Sequence, residues 1–318
     1  MFSSQDVGAR VSVRRAVPGG QRTDVIGELV AWEAGVVRVR CADGEIVEIE
    51  EASIVAGRTV PPAPPPRRPG VPHADVEEMQ RIANAGWPAR ETSRLGEWLL
   101  RAHGGITGRA NSVMAVGDPG VPLDAALEQV REWYGERGLP PLLQLPQQSG
   151  LNAPLEQRGW RELHVTIVQT APLSATVELL RRQPERAALR CSVAARPDAA
   201  WLSLMHDLDR NDPAAHLEIL TGPDVVGFAT VRDGEQPVAI GRASIEGAWA
   251  GVTSVDVAPG RRREGLGKVV MRALLEWARA SGARAAYLQV RAKNEPALAL
   301  YRQIGFVPHH AYCYRAAE

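Results

Sequence analysis

Six consecutive residues, Arg262-Arg263-Glu264-Gly265-Leu266-Gly267, constrain this chain more than any other stretch. They follow an apolar run, Val252-Thr253-Ser254-Val255-Asp256-Val257, and open a helical pattern from Lys268 to Ala280. Strand, glycine-rich turn and helix, in that order, are what a diphosphate-binding site requires. The first turn of a helix carries N–H groups with no partner inside the helix. The helix dipole places partial positive charge at the same end. Glycine there removes the Cβ atoms that would hold a phosphate off the backbone.

Spacing narrows the ligand. A dinucleotide fold calls for G-x-G-x-x-G near its first strand, with an acidic residue about 20 positions on, and a P-loop calls for G-x-x-x-x-G-K-[ST]. Neither pattern occurs in the chain. What stands here is R-x-x-G-x-G, carried by Arg262, Gly265 and Gly267. The helix that follows has an apolar stripe at Val270, Leu274, Trp277 and Ala278, and Gly282 offers a stop. Ala286-Tyr287-Leu288-Gln289-Val290 reads as a short buried strand, so the region predicts a βαβ crossover with a parallel pair. Asn294-Glu295-Pro296 then reads as a helix start, and the helix Ala297–Ile304 ends at Gly305.

The two signatures, R-x-x-G-x-G and Asn294-x-x-Ala297-x-x-x-Tyr301-x-x-x-Gly305-Phe306, resemble those of the GNAT N-acetyltransferase superfamily, in the right order and with a helix and a strand between them. The resemblance covers 187–318 and implies acetyl-CoA as co-substrate and a mixed α/β (α+β) sheet with flanking helices. It implies that the pantetheine arm lies along Val252–Val257 as an extra strand, bonded to the backbone of Val255 and Val257 beside Asp256. It implies a diphosphate surrounded by Arg262, Arg263, Gly265, Leu266, Gly267 and Lys268. Asn294 would touch the cofactor arm, and Tyr301 would be the general acid for the departing thiolate. A phenol with a pKa near 10 is suited to donate a proton at neutral pH. Arg261 is expected to be solvated.

A general base is harder to find. In histone-type members of the superfamily a glutamate sits near the start of the platform strand; counting back from Arg262, that position is Gly251. Glu246 and Asp256 are the nearby substitutes. Strand alternation gives Asp256 a parity opposite to Gly251, which predicts that it points away. Trp249, His309, Tyr312 and Tyr314 are further candidates for walls of the acceptor site.

Composition bounds the rest. The 318 residues allow two or three domains. Net charge is near zero, which removes the electrostatic case for a nucleic-acid or polybasic membrane protein. No apolar run is long enough to span a bilayer and the N-terminus lacks a signal pattern, which predicts a cytoplasmic protein. Cys41, Cys191 and Cys313 are odd in number and far apart, and are expected to be thiols, with no metal site. His309-His310 lacks acidic or cysteine neighbours at zinc spacing. Lys268 and Lys293 are the only lysines, an arginine bias that fits a GC-rich bacterial genome.

Along the chain, 61–73 is a proline-rich linker expected to be polyproline II. Before it, 1–60 holds strand-like runs at Ala9–Val17, Val25–Trp32, Val36–Cys41 and Glu45–Ile49, with Asp43-Gly44 as a tight hairpin turn. These predict a small SH3-like β-barrel. After the linker, 74–172 repeats the element order of the second half: a helix over Asp75–Ala85, strands at Leu95–His103 and Ala110–Val116, a helix over Leu123–Gly138, a strand at Pro141–Leu145, a short helix ending at Gly159 and a strand at Arg161–Thr170. Leu155-Glu156-Gln157-Arg158-Gly159-Trp160 echoes the stretch from Leu300 to Phe306. Where the second half has its glycine-rich turn, the first has Gly117-Asp118-Pro119-Gly120-Val121-Pro122, with prolines that remove donors and a carboxylate where a diphosphate would sit. The expectation is a tandem GNAT arrangement whose first half has lost its cofactor site, joined through a connector at 173–186 to a catalytic half at 187–318 that binds acetyl-CoA alone. An unrelated α/β domain is the alternative for the first half.

The leading functional expectation is an acetyl-CoA-dependent N-acetyltransferase acting on a primary amine of a small molecule or peptide. The alternative is a non-catalytic acyl-CoA-binding or protein-interaction module. The acceptor, the acyl length and the oligomeric state stay open at this point.

Overall fold

The structure is a computed structural model that describes residues 2–17, 21–41, 45–60, 68–184, 188–206, 208 and 212–317. The turn expected at Asp43-Gly44 and the linker segment 61–67 lie outside the described residues. The chain forms two compact units, Met1–Pro64 with Gln148–Pro154, and Pro65–Gln147 with Leu155–Glu318.

The N-terminal part of the first unit is a β-sheet. Strands β1 (Arg10–Ala16), β2 (Arg22–Glu33), β3 (Val36–Cys41), β4 (Ile46–Glu50) and β5 (Ile54–Thr59) form an antiparallel sheet in the order β4-β3-β2-β1-β5. Alternation places Val11, Val13, Val25, Leu29, Val37, Val39 and Ile49 inside. Arg14–Asp24, Arg38–Glu48 and Arg40–Glu28 pair across the exposed face.

The second unit begins with α1 (Val76–Ala85), capped by the Asp75 carboxylate, which accepts from the Glu78 N–H. The expected strand Leu95–His103 is instead a hairpin, β6 (Glu91–Leu95) and β7 (Trp98–Ala102), because Gly96 takes a left-handed turn at φ 55°. The expected strand Ala110–Val116 shrinks to β8 (Val113–Met114) behind a 3-10 turn at Gly108–Ala110. Then come α2 (Leu123–Gly135), β9 (Leu142–Pro146), the short α3 (Asn152–Glu156) and β10 (Arg161–Pro172). The stretch expected as a connector is largely helical: α4 (Leu173–Arg181) buries Leu173, Val177 and Leu180. The second half runs β11 (Leu189–Ala194), α5 (Ala199–Leu204), α6 (Pro213–Thr221), β12 (Val226–Asp233), β13 (Gln236–Glu246), β14 (Trp249–Val257), α7 (Leu266–Ala280), β15 (Ala285–Arg291), α8 (Glu295–Gln303) and β16 (Val307–Ala316).

One mixed sheet of 11 strands unites both halves, in the order β11-β12-β13-β14-β15-β10-β16-β9-β8-β7-β6. The last strands of the halves are exchanged. β10 of the first half pairs antiparallel with β15, and β16 of the second pairs antiparallel with β9. β10 and β16 also pair with each other. Residues 187–318 are therefore not a self-contained sheet: without β10 they leave a gap between β15 and β16. One face of the second half packs under α4, α7 and α8, through Val177, Leu180, Val252, Val270, Leu274, Leu288 and Tyr301. On the other face, Met79 and Ala83 of α1 cover Trp249, Tyr287, Tyr312 and Tyr314.

Candidate active site

The parallel pair β14–β15 holds only from Trp249↔Ala285 to Val252↔Leu288. Beyond Val252, β14 stays with β13 and leaves β15, so the two strands splay apart. A bulge drives the change: the β13–β14 register shifts between Ile240 and Arg242, and Ser254 adopts φ 51°. Ala258 donates to the Val238 carbonyl (3.0 Å), which makes Ala258 and Asp256 the residues bonded to β13. By alternation, the backbone groups of Val255 and Val257 point into the gap.

The extra residue also resets side-chain parity. Gly251, Thr253 and Asp256 stand opposite Ser244, Arg242 and Ile240, on one face of the sheet. Val255 and Val257 turn to the other face, against α7. The expectation that Asp256 points away from the Gly251 face is therefore corrected; simple alternation fails across a bulge. The Asp256 carboxylate accepts from the His206 N–H at 3.2 Å.

At the end of the gap α7 begins. Gly265 is its N-cap at φ 78°, with no side chain capping the first turn. Arg263 is left-handed as well, at φ 66°. Such conformations are costly for non-glycine residues and concentrate at functional turns. Arg262 and Arg263 are exposed beside the open N–H groups. Arg261 is not simply solvated: it binds Glu264 at 2.9 Å and Asp233 at 3.0 Å, which fixes the loop and neutralises a carboxylate next to the anion cradle. Gly267 has a second duty, since a Cβ there would lie 3.0 Å from Leu300 Cδ2 of α8. The site therefore fits a diphosphate. Gly265→Val is expected to weaken CoA binding by about tenfold or more, through a strained cap and a Cβ branch in the cradle. Calorimetry on the folded variant checks it, and unchanged affinity would make the turn merely structural.

The first half answers the same question differently. At its corresponding turn, the Glu97 carboxylate accepts from the Asp118 N–H (2.7 Å), and Asp118 accepts from the Gly120 N–H (2.7 Å). A Cβ on Gly117 would sit 2.5 Å from Glu97 Oε2. Its carboxylates thus take up N–H groups of the turn itself and bring negative charge beside the α2 N-terminus, which like that of α7 has no side-chain cap. The short helices end alike: the Leu155 carbonyl accepts from Trp160, as the Tyr301 carbonyl accepts from Phe306, both at 3.0 Å. The residue in the Tyr301 place is thus Leu155, which cannot donate a proton.

Tyr301 lies under the sheet at 9% exposure, its ring 5.9 Å from that of Phe306. Burial, and then the negative charge of Asp256, push its hydroxyl up to about 12. It holds its proton at any physiological pH, as an acid must. Asn294 caps α8, accepting from the Ala297 N–H at 3.2 Å. Glu246 is exposed in the β13–β14 turn opposite Trp249, about 13 Å of strand away from Thr253. The structure thus brings Asp256, Val255, Val257, Tyr301 and the Gly265 turn together and leaves Glu246 at the far end of β14.

Gly251 has a reason to be glycine. A Cβ there would meet the Tyr287 Oη at 2.3 Å. The Tyr287 phenol occupies the space a glutamate would need, and burial pushes it up to about 12, so it is no base. Trp249, Tyr312 and Tyr314 are buried beside it, and Tyr312 donates to Gln289 Oε1 at 2.8 Å. His309 and His310 face each other at 2.8 Å between ring nitrogens, and burial pulls His310 down to about 3.

Sequence reading missed three residues on this face: Arg101, Arg109 and Arg242. Two of them carried a signal, a lone arginine inside an apolar strand run, Leu99-Leu100-Arg101-Ala102 and Ile240-Gly241-Arg242-Ala243. Among the described residues no cluster of His, Cys, Asp or Glu is arranged to hold a metal ion, and no helix is long and apolar enough to cross a membrane.

The chain is similar to known proteins along most of its length. The family model described as "Probable histone acetyltransferase Rv0428c C-terminal" matches residues 73–315, and the model of the Rv0428c N-terminal Sm-like domain matches residues 5–58. The probable histone acetyltransferase Rv0428c of Mycobacterium tuberculosis is 30% identical over 100% of this chain and 98% of its own. The uncharacterized N-acetyltransferase YobR of Bacillus subtilis is 29% identical over 76% of this chain and 98% of its own. Among solved structures, a GCN5-related N-acetyltransferase from Kribbella flavida superposes with a TM-score of 0.58 at 20% identity, covering 75% of this chain and 95% of its own. The small all-β domain expected as SH3-like thus matches a model named Sm-like. The chain belongs to the Rv0428c family of GNAT N-acetyltransferases, with a small β-domain ahead of tandem GNAT halves, and is an acyltransferase.

Proposed function

We propose that the chain transfers an acetyl group from acetyl-CoA to a primary amine of a small molecule or peptide, by direct attack in a ternary complex at the mouth of the β14–β15 gap. One observation carries this reading: the splayed backbone, the uncapped α7 N-terminus and a protonated buried phenol converge there, and nowhere in the first half. Arg262, Arg263, Lys268 and the N–H groups of Gly265, Leu266 and Gly267 hold the diphosphate. The open backbone of Val255 and Val257 holds the pantetheine arm, with Asn294 at the start of α8 beside it.

The chemistry needs a neutral amine, and an alkylammonium with a pKa of about 10.4 is almost fully protonated at neutral pH. Asp256, on the acceptor face beyond the bulge, takes that proton directly or through water. A C–N bond forms at the thioester carbon, the C–S bond breaks, the thiolate receives the Tyr301 proton, and the attacking nitrogen gives its second proton to water. Tyr301 recovers a proton from solvent. The non-catalytic alternative loses ground because the second half keeps a glycine turn and a phenol at Tyr301, where the first has a proline-containing turn with the carboxylates of Glu97 and Asp118, and Leu155.

The test is CoA release by the full chain with amines and peptides, against water alone. The rate constant kcat/KM should rise from pH 6 to 9 as the amine loses its proton. It should not fall again before pH 10, since Tyr301 keeps its proton up to about 12. CoA release that no amine accelerates would defeat the reading.

A further inference from the structure

A narrow crevice opens on the acceptor face, lined by Asn84, Trp87, Arg101, Arg109, Gln144 and Gln289. Its position ties it to the proposed reaction. Gln289 follows Leu288, the last β15 residue paired with β14. Thr253, the first β14 residue past that pairing, accepts from Arg242 Nη1 at 3.2 Å.

The charge of the crevice is unusual. Arg101 and Arg242 are 2% and 0% exposed. Arg101 donates to the Ser112 carbonyl and hydroxyl, Asn84 Oδ1 and Gln144 Oε1, at 2.8–3.0 Å. Arg242 donates to the carbonyls of Leu220 (2.7 Å) and Gly86 (3.1 Å). All of these partners are neutral. Burial pulls Arg242 down to about 9, which still leaves it charged at neutral pH. Buried cations are ordinarily paired with carboxylates; here none of the hydrogen bonds does so.

Arg109 completes the set. Its Nη1 is buried without a hydrogen-bond partner, and its guanidinium lies over the Trp87 ring at 4.9 Å, where Arg242 lies at 5.4 Å. The loop that carries it is held fast. Asn111 accepts from the N–H groups of His103 (2.7 Å) and Gly105 (2.9 Å) and donates to the carbonyls of Ile106 (2.6 Å) and Thr107 (3.0 Å). Thr107 is kept at φ 58°. A strained, pinned loop that holds an unpartnered buried guanidinium nitrogen over a crevice is a preorganised donor without an acceptor.

We propose that Arg109, with the charges of Arg101 and Arg242 behind it, is a carboxylate-binding subsite, and that the acceptor is an amine that also carries a carboxylate, such as a free α-amino acid. The inference rests on the acetyl-transfer reading for its amine and deepens it. The same crevice disfavours a polycationic protein tail, which would bring more positive charge to an uncompensated positive site.

The experiment separates the two readings. CoA affinity of the full chain is measured first by calorimetry. The CoA-saturated protein is then titrated with the common α-amino acids and, in parallel, with their carboxamides and with a lysine-rich peptide. At least one amino acid should bind about tenfold or more tighter than its carboxamide, the size expected of a hydrogen bond to a charged group. Arg109→Gln should erase that ratio while leaving CoA affinity unchanged, and Arg109→Lys should keep part of it. If CoA binds but no amino acid outbinds its carboxamide, or if Arg109→Gln preserves the ratio, the subsite is wrong. Failure to bind CoA would instead strike the acetyl-transfer reading, and the acid-to-amide ratio measured without CoA would still decide the subsite.

Discussion

Tyr301→Phe should lower kcat by about 10²–10⁴-fold and leave the KM for acetyl-CoA nearly unchanged. The substitution removes one hydroxyl and keeps the ring against Phe306. A donor that acts as the thiolate departs is used in the transition state, so its loss belongs to kcat. The thermal midpoint should move little, because the aromatic packing of α8 survives. Steady-state kinetics with an accepted amine, beside a melting curve, separate the roles. A normal kcat would assign thiolate protonation to water, and a collapsed midpoint would make Tyr301 a core residue first.

A fragment of residues 188–318 should fail to fold cooperatively, whereas 68–318 should melt in a single transition. The shorter piece lacks β10, whose residues Thr166–Pro172 lie along β15 and whose Arg161–Thr170 span lies along β16. Both neighbours would be left as long unpaired edges, the usual starting point for aggregation. It would also lack α4, which buries Leu173, Val177 and Leu180 in the same core as α7. Circular dichroism and solubility read the outcome. A soluble 188–318 fragment with a sharp transition would mean that the exchanged strands are dispensable. A fragment that fails to fold would also fail to bind acetyl-CoA on its own.

Local features of this fold were legible because they are written in local residue patterns. The βαβ crossover followed from a glycine turn between an apolar strand and a helical stripe, and α8 from Asn294 at its cap. What stayed hidden was set at long range. Nothing in Arg161–Pro172 or Val307–Ala316 tells which half either strand will join, since the exchange depends on partners far away in the chain. The helix at Leu173–Arg181 was readable in the spacing of Leu173, Val177 and Leu180, which the idea of a connector obscured. At the site, the glycine turn and Tyr301 could be named in advance. The face of Asp256 could not, because one bulge residue, Ser254, inverts the alternation that reading assumes. Arg101 and Arg242 went unread because only the folded sheet sets them beside Trp87 and Arg109.

The central claim is that acetyl-CoA lies in the β14–β15 gap of the second half, with its diphosphate on the α7 N-terminus. Hydrogen exchange of the full chain, with and without CoA, tests it most directly. The account predicts slowed exchange in peptides spanning 253–268, with peptides spanning 115–124 unchanged. Protection at 115–124 with none at 253–268 would contradict it, and would place the cofactor in the half whose turn carries the carboxylates of Glu97 and Asp118.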